Sequence, residues 1–278
     1  MQRMSDEARW SAGIDSSTPN LARMHDYFIG GKDNFAVDRE AAEAVLATAP
    51  EVRVMAQEHQ AFHVRVIRFL VEQGLTQFIN LGSGLPSDLN THELVRSRTP
   101  DARVVYVDND PVVLAHGRAI LAKGPRTAVV KGGIMHPAAL LADPDLREVI
   151  DLDQPVAVLL FGVLQYIPDG SDPFRRVAEL RDALPVGSHI VITHVVFDSR
   201  PEAAEPIVSI YRKMLGQADG GARTRETVLP FFDGLELVDP GLVYVREWQP
   251  DSPFLSERPD KAWVIVGVGR KTGPAPRP

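Results

Sequence analysis

The chain has 278 residues, 44% hydrophobic and 24% charged, with a formal net charge of −7; that mix supports a packed core and excludes a disordered chain. It contains no cysteine, which removes disulfides, zinc–cysteine sites, iron–sulfur clusters and a cysteine nucleophile together and fits a reducing cytoplasm. No apolar run approaches the roughly 20 residues that span a bilayer, and an acidic balance argues against nucleic acid, whose affinity rests on phosphate neutralisation by Lys and Arg, so a soluble cytoplasmic protein without either partner is expected.

In chain order, residues 1–17 read as a flexible tail rich in Ser and charge, and 18–74 as a lid and helical cap. Within the cap, Val52, Met55, His59, Phe62, Val66 and Phe69 recur at spacings of three and four and form one apolar stripe, while Arg53, Gln60, Arg65, Arg68 and Glu72 are expected to point elsewhere. His59 and His63 have the i, i+4 spacing of two metal ligands, but Gln60 cannot act as the base of a zincin helix, so no metal is expected.

Residues 75–270 alternate short β-branched runs with helices. Runs at 77–81, 103–107, 127–130, 156–160 and 189–193 are nearly continuous in apolar residues, as strands covered on both faces are. Asp110-Pro111 and Asp172-Pro173 each pair an acidic N-cap with Pro at the first helical position. Strands separated by crossover helices predict an α/β, doubly wound, mostly parallel sheet with helices on both faces. The last two runs, around 235–245 and 262–268, have no helix between them, so the sheet is expected to end antiparallel. Residues 271–278, with Pro at 274, 276 and 278, read as a second flexible tail.

Open α/β sheets bind ligands at the carboxyl ends of their strands. The first strand runs into Asn80-Leu-Gly82-Ser83-Gly84-Leu-Pro86, where Gly82 and Gly84 permit a sharp turn, and a helix starting near Ser87 would aim its free N–H groups at an anion. The dinucleotide fingerprint Gly-x-Gly-x-x-Gly is not met, because Ser87 occupies its third glycine. Asp108 ends the second strand 26 residues after Gly82, where a carboxylate can accept both hydroxyls of an adenosine ribose; Asn109 follows it, and Asp110 already serves as a helix cap.

Four stretches carry a resemblance: residues 18–35, TPNLARMHDYFIGGKDNF; 77–86, QFINLGSGLP; 104–116, VVYVDNDPVVLAH; and 231–238, FFDGLELV. Together they resemble the bacterial S-adenosyl methyltransferase family once classed only as a domain of unknown function, over nearly the whole of residues 18–270. The resemblance implies S-adenosylmethionine as cofactor and a Rossmann-like methyltransferase core, seven-stranded with the last strand antiparallel, behind an N-terminal helical cap. Asn80 stands where that family commonly has an acid, Gly133 where it has the carboxylate for the adenine amino group, and Gln165 where it often has His. Backbone groups of Gly133 and Ile134 remain able to touch the adenine ring.

Methyl transfer asks the protein for alignment, desolvation and sometimes a base. Phe161 and Tyr166, after the fourth strand, are expected against cofactor or substrate, and His194, ending the fifth, is the expected general base. The stretch 26–35 places two glycines between aromatics; it is expected to fold over the cofactor, with Tyr27 and Phe35 shielding it and Lys32 or Asp33 at its polar end. The leading function is a small-molecule methyltransferase, monomer or homodimer, with Tyr166 and His194 in the chemistry. A regulatory protein that binds the cofactor without transfer, and a nicotinamide-dependent oxidoreductase, are the alternatives.

Overall fold

The computed structural model describes residues 15–215, 222–251 and 261–273. Most of the expected N-terminal tail, and residues 274–278 of the C-terminal one, lie outside these. Lys271, placed in the tail from sequence, is docked instead: its backbone N–H donates to the Ser188 carbonyl and its Nζ to the carbonyls of Asp182 and Leu184.

Three helices precede the sheet. Helix α1 (Leu21–Phe28) is capped by Asn20, whose side chain accepts from the N–H groups of Ala22 and Arg23. It packs on α2 (Ala36–Thr48) through Met24, Phe28, Ala41, Ala42 and Val45. A buried ion pair, Arg23 Nε to Asp38 Oδ2 at 2.7 Å, joins the two, and Asp38 also accepts from the N–H groups of Asn20 and Phe35. Because every oxygen of the buried carboxylate is bonded, this pair escapes the penalty of an uncompensated charge. Helix α3 (Val52–Glu72) follows the predicted stripe, with one exception. Arg65 is buried: its guanidinium donates to the carbonyls of Val245 and Trp248, groups with no strand partner, so a charged residue on the core side caps loop carbonyls of a distant segment.

The sheet and its crossovers then run β1 (Gln77–Leu81), α4 (Thr91–Arg96), β2 (Arg103–Asp108), α5 (Pro111–Ile120), β3 (Thr127–Lys131), α6 (Pro137–Leu141), α7 (Pro144–Val149), β4 (Ala157–Phe161), α8 (Pro173–Ala183), β5 (His189–Val195), α9 (Pro201–Leu215), α10 (Arg225–Val228), β6 (Glu236–Leu237), β7 (Val243–Tyr244) and β8 (Val264–Arg270). Asp110 and Asp172 cap α5 and α8 as read from sequence. The strand order is β3-β2-β1-β4-β5-β8-β6, with β7 also on β8; β1 to β5 are parallel and β8 is antiparallel to β5.

The expected seven strands become eight because the outermost one is split. β6 and β7 pair with opposite ends of β8, and the segment between them turns through Asp239-Pro240-Gly241, where Pro240 has no N–H for the ladder. Strand side chains alternate between two cores. Phe78, Val104, Tyr106, Leu159 and Val191 meet α3, α4, α5 and α9, while Ile79, Val105, Val158, Leu160 and Ile192 meet α6, α7 and α8. Fully burying such a side chain is worth about 1.5–3 kcal/mol, so the doubly covered sheet fixes the positions of its strand tips.

Candidate active site

The order in which strands are added switches sides between β1 and β4, and a cavity of about 710 Å³ opens across the strand tips there, roofed by α1, α3 and α9. Neighbouring strands lie about 4.8 Å apart, so the row of tips from β3 to β8 extends over about 24 Å. The lining follows that row: Gly133 and Ile134 after β3, Asp108 and Asn109 at β2, Gly82, Ser83 and Gly84 after β1, Phe161 ending β4 and Tyr166 after it, then Thr193 and Val195 of β5 and Trp263 before β8.

At β1 the chain turns back on its neighbour. The N–H groups of Gly82 and Ser83 donate to the Val107 carbonyl at 2.8 and 3.1 Å. Gly82 has φ +75°, and a Cβ there would lie 2.4 Å from Val163 Cγ2, so a larger residue would be strained and would have to displace Val163. Gly84 N–H donates to Asp108 Oδ2 at 3.0 Å, while Asp108 Oδ1 accepts from the N–H groups of Asn109 and Asp110. Burial raises the Asp108 pKa and the three N–H donors oppose it. Asn80, also buried, donates from Nδ2 to Thr91 Oγ1 at 3.1 Å, but its Oδ1 has no partner. The helix expected near Ser87 begins only at Thr91; the side chains of Asn90 and Ser87 hold the intervening loop through the N–H groups of Ser87 and Leu89.

Three histidines that the sequence reading left without a role gather at the β4 tip. His59 and His63 rest edge-on against the Phe161 ring at 5.2 and 5.1 Å, and His25 meets His59 at 6.3 Å. His59 Nε2 lies 2.9 Å from Thr193 Oγ1 and His63 Nε2 lies 3.1 Å from Thr91 Oγ1. Burial brings His59 down to about 3, with His25 and His63 adding to the effect, and His63 down to about 4. All three rings are therefore neutral near pH 7, since desolvation by the surrounding cap lowers His25 as well, although its side chain stays accessible from the cavity. The signal for His59 was its place on the apolar stripe, which could have been read as facing a cavity; His25 had none. Among the described residues no group of three or more His, Asp or Glu is arranged to hold a metal.

Two expectations need correction. His194 does not reach the cavity. Thr193 and Val195 face it, so the strand's alternation sends His194 to the opposite face, where it is 1% exposed and stacks on Phe231. Its Nδ1 donates to the Val195 carbonyl and its Nε2 accepts from Arg223 at 3.1 Å, so neither nitrogen is available as a base; burial holds it at about 3. Tyr27 and Lys32 also lie outside. The Tyr27 hydroxyl donates to Glu43 and its ring lies under Arg53. Lys32 is exposed, Asp33 faces His116, and Phe35 carries Arg23 on its ring.

The double glycine has a structural cause. Asp26 Oδ2 accepts from Asp33 N–H and Asn34 Nδ2, and a Cβ on Gly31 would lie 1.9 Å from Asp26 Oδ1, so the loop wraps a carboxylate rather than a ligand. The cover over the cavity comes from residues 18–29 instead. Asn20 Nδ2 reaches Asp110 Oδ2 at 2.6 Å and closes it onto the β2 tip.

The model of the S-adenosyl methyltransferase family matches residues 7–272 of this chain. A solved DUF574 family protein from Streptomyces avermitilis is 35% identical, with 92% of this chain and 99% of that one covered and a TM-score of 0.86. A methyltransferase candidate from Thermobifida fusca is 43% identical over 93% of this chain and 97% of its own, with a TM-score of 0.86. At 9% identity, the plantazolicin methyltransferase, solved with a triazolic desmethylPZN analogue and S-adenosylhomocysteine, shares the fold at a TM-score of 0.50 over 91% of this chain and 96% of its own. No curated protein matches the chain.

Proposed function

The chain belongs to the S-adenosyl methyltransferase family, and from that premise we propose that it methylates a small molecule, with cofactor and acceptor lying end to end along the row of strand tips. The observation that carries this reading is the cavity itself, which runs unbroken from Asp108 to Tyr166 under one cover.

The residues present fit S-adenosylmethionine. Asp108 at the β2 tip would take the ribose hydroxyls, exchanging its bond to Gly84 N–H; hydrogen bonds to a charged group contribute about 1.5–3 kcal/mol. Gly133 and Ile134 would flank the adenine ring. Asn80 Oδ1, buried without a donor, suits the methionyl ammonium at the neighbouring tip. Asn109, Ser83, Gly84 and Phe161 complete this half. When bound, the cofactor supplies a methyl group on a sulfonium sulfur.

The protein's own task is to hold an acceptor in line and keep water away. Binding two reactants in register replaces a bimolecular encounter and lowers the barrier by as much as about 7–11 kcal/mol. Tyr166 packs edge-on against Tyr211 of α9 at 5.8 Å, and this pair forms a wall of the acceptor half. The cap, closed by Asn20 onto Asp110, would serve as the lid. The absence of cysteine agrees with action in a reducing cytoplasm.

The oxidoreductase alternative is disfavoured by the loop between Gly84 and Asn90, since a dinucleotide site needs a helix N-terminus directly after its glycines. A binding protein without transfer is separated by a labelled-methyl assay on a panel of small metabolites. Transfer of label to an acceptor is expected; cofactor binding with no label leaving the cofactor for any acceptor would favour the binding protein.

A further inference from the structure

The half of the cavity over β4, β5 and β8 has a definite chemistry. Its walls are largely aromatic or aliphatic, with Tyr166, Tyr211, Ile207 and Trp263 among them, and Gln60, Gln165, Thr193 and Arg212 add polar groups. Among the described residues, the carboxylates that line the cavity are Asp26, Asp108 and Asp110. Asp108 and Asp110 stand at the β2 tip, and Asp26 is taken up by Asp33 N–H and Asn34 Nδ2. Among the described residues no carboxylate lines the Tyr166 end, so a cationic amine there would be desolvated without a counter-ion, and the charged lining residue from α9, Arg212, is a cation paired with Glu205.

One polar ring faces this space without a bond. His25, on the cap helix α1, is exposed to the cavity, and neither of its ring nitrogens has a hydrogen-bond partner among the described residues. His59, its edge-on neighbour, has Nε2 engaged by Thr193. A neutral imidazole with a free nitrogen accepts a hydrogen bond from an acidic O–H and can take its proton.

We propose that the acceptor is a planar aromatic hydroxyl compound, its ring against the Tyr166–Tyr211 wall and its O–H on His25, which acts as the general base. The proposal rests on the cofactor reading above. The acceptor oxygen bonds to the methyl carbon as its proton passes to His25; the carbon–sulfur bond breaks and its electron pair stays on sulfur. The products are an aryl methyl ether, the neutral thioether and a protonated His25, which returns its proton to water when the cavity opens. This role also gives the cap a part in the chemistry, since the base arrives with the cover.

The test uses the full chain saturated with S-adenosylhomocysteine and titrated with 2-naphthol, naphthalene and 2-naphthylmethylamine. The expected result is that 2-naphthol binds at least tenfold tighter than either of the others. In His25→Ala that preference falls to within twofold, while S-adenosylhomocysteine affinity changes less than threefold. His25→Gln, which keeps an acceptor atom but no usable base, should retain the preference yet lose at least a hundredfold in labelled-methyl transfer to 2-naphthol, within the range a general base supplies. A preference for the amine, equal binding of 2-naphthol and naphthalene, no binding of 2-naphthol, or an unchanged preference in His25→Ala would each overturn the proposal. Absence of S-adenosylhomocysteine binding would instead overturn the cofactor reading beneath it.

Discussion

His59 Nε2 and Thr193 Oγ1, 2.9 Å apart, join the cap to the tip of β5 at the floor of the cavity. The same hydroxyl oxygen accepts from Gly162 N–H at 2.8 Å, so its own proton is free to be donated to His59. One side chain thus sets both the turn after β4 and the orientation of a cavity histidine.

Replacing Thr193 by Val keeps the volume but removes both bonds. Gly162 N–H keeps the Thr193 carbonyl, 3.3 Å away, as an acceptor, so the cost is chiefly that of the unpaired His59 nitrogen, about 1–3 kcal/mol. Urea unfolding should show a lower midpoint with an unchanged slope, and hydrogen exchange at Gly162 should rise. An unaltered midpoint would mean that the contact contributes nothing.

Gly82→Ala faces two obstacles, a φ of +75° and a Cβ 2.4 Å from Val163 Cγ2. A strained backbone of this kind costs about 1–3 kcal/mol, and relief requires the loop to leave the Val107 carbonyl. The variant should melt lower and lose S-adenosylhomocysteine affinity at least tenfold, both measurable by thermal shift with and without ligand.

Arg23→Ala strands the Asp38 carboxylate, 0% exposed, beneath the cap. Removing one partner of a buried pair costs about 3–5 kcal/mol. The loss should be local: hydrogen exchange rises across residues 20–48 and cofactor affinity falls, while β1 to β5 keep their protection. Uniform loss of protection would show instead that the cap and the sheet unfold as one unit.

Much of the fold was legible because each strand is covered on both faces and each crossover helix carries its own start signal, as at Asp110-Pro111. The split of the last strand was not, since Pro240 breaks a ladder whose partner, β8, lies farther along the chain. Within the site, Gly82, Gly84 and Asp108 were readable from their type and spacing. His194 was misread because alternation on β5 gives two faces, and only the packed sheet decides which one meets the cavity. Arg65, His25 and His63 were opaque for a related reason: the partners of Arg65 (Val245 and Trp248), of His25 (His59) and of His63 (Thr91 and Phe161) are distant in sequence, whereas His59 carried the signal of its apolar stripe.

The buried histidines make stability fall in acid. His59 at about 3, His63 at about 4 and His194 at about 3 stay neutral in the native state, while the unfolded chain protonates them near 6.5. Stability is therefore complete above that value and is lost as pH falls from it toward 3–4, by up to about 1.4 kcal/mol per pH unit for each group. Urea midpoints measured at pH 7.5 and 5 should fall accordingly, and His59→Gln should lessen the fall. A midpoint independent of pH would contradict these assignments.

The central claim is that the row of tips holds S-adenosylmethionine with Asp108 on its ribose. Calorimetric titration of the full chain with S-adenosylhomocysteine, and of Asp108→Asn, tests it most directly. The substitution keeps an oxygen for the Asn109 and Asp110 N–H groups but removes the charge. The account predicts saturable one-to-one binding by the wild type, at least tenfold weaker binding by the variant, and no heat with NAD. Binding of NAD, absence of S-adenosylhomocysteine binding, or equal affinity in the variant would contradict it.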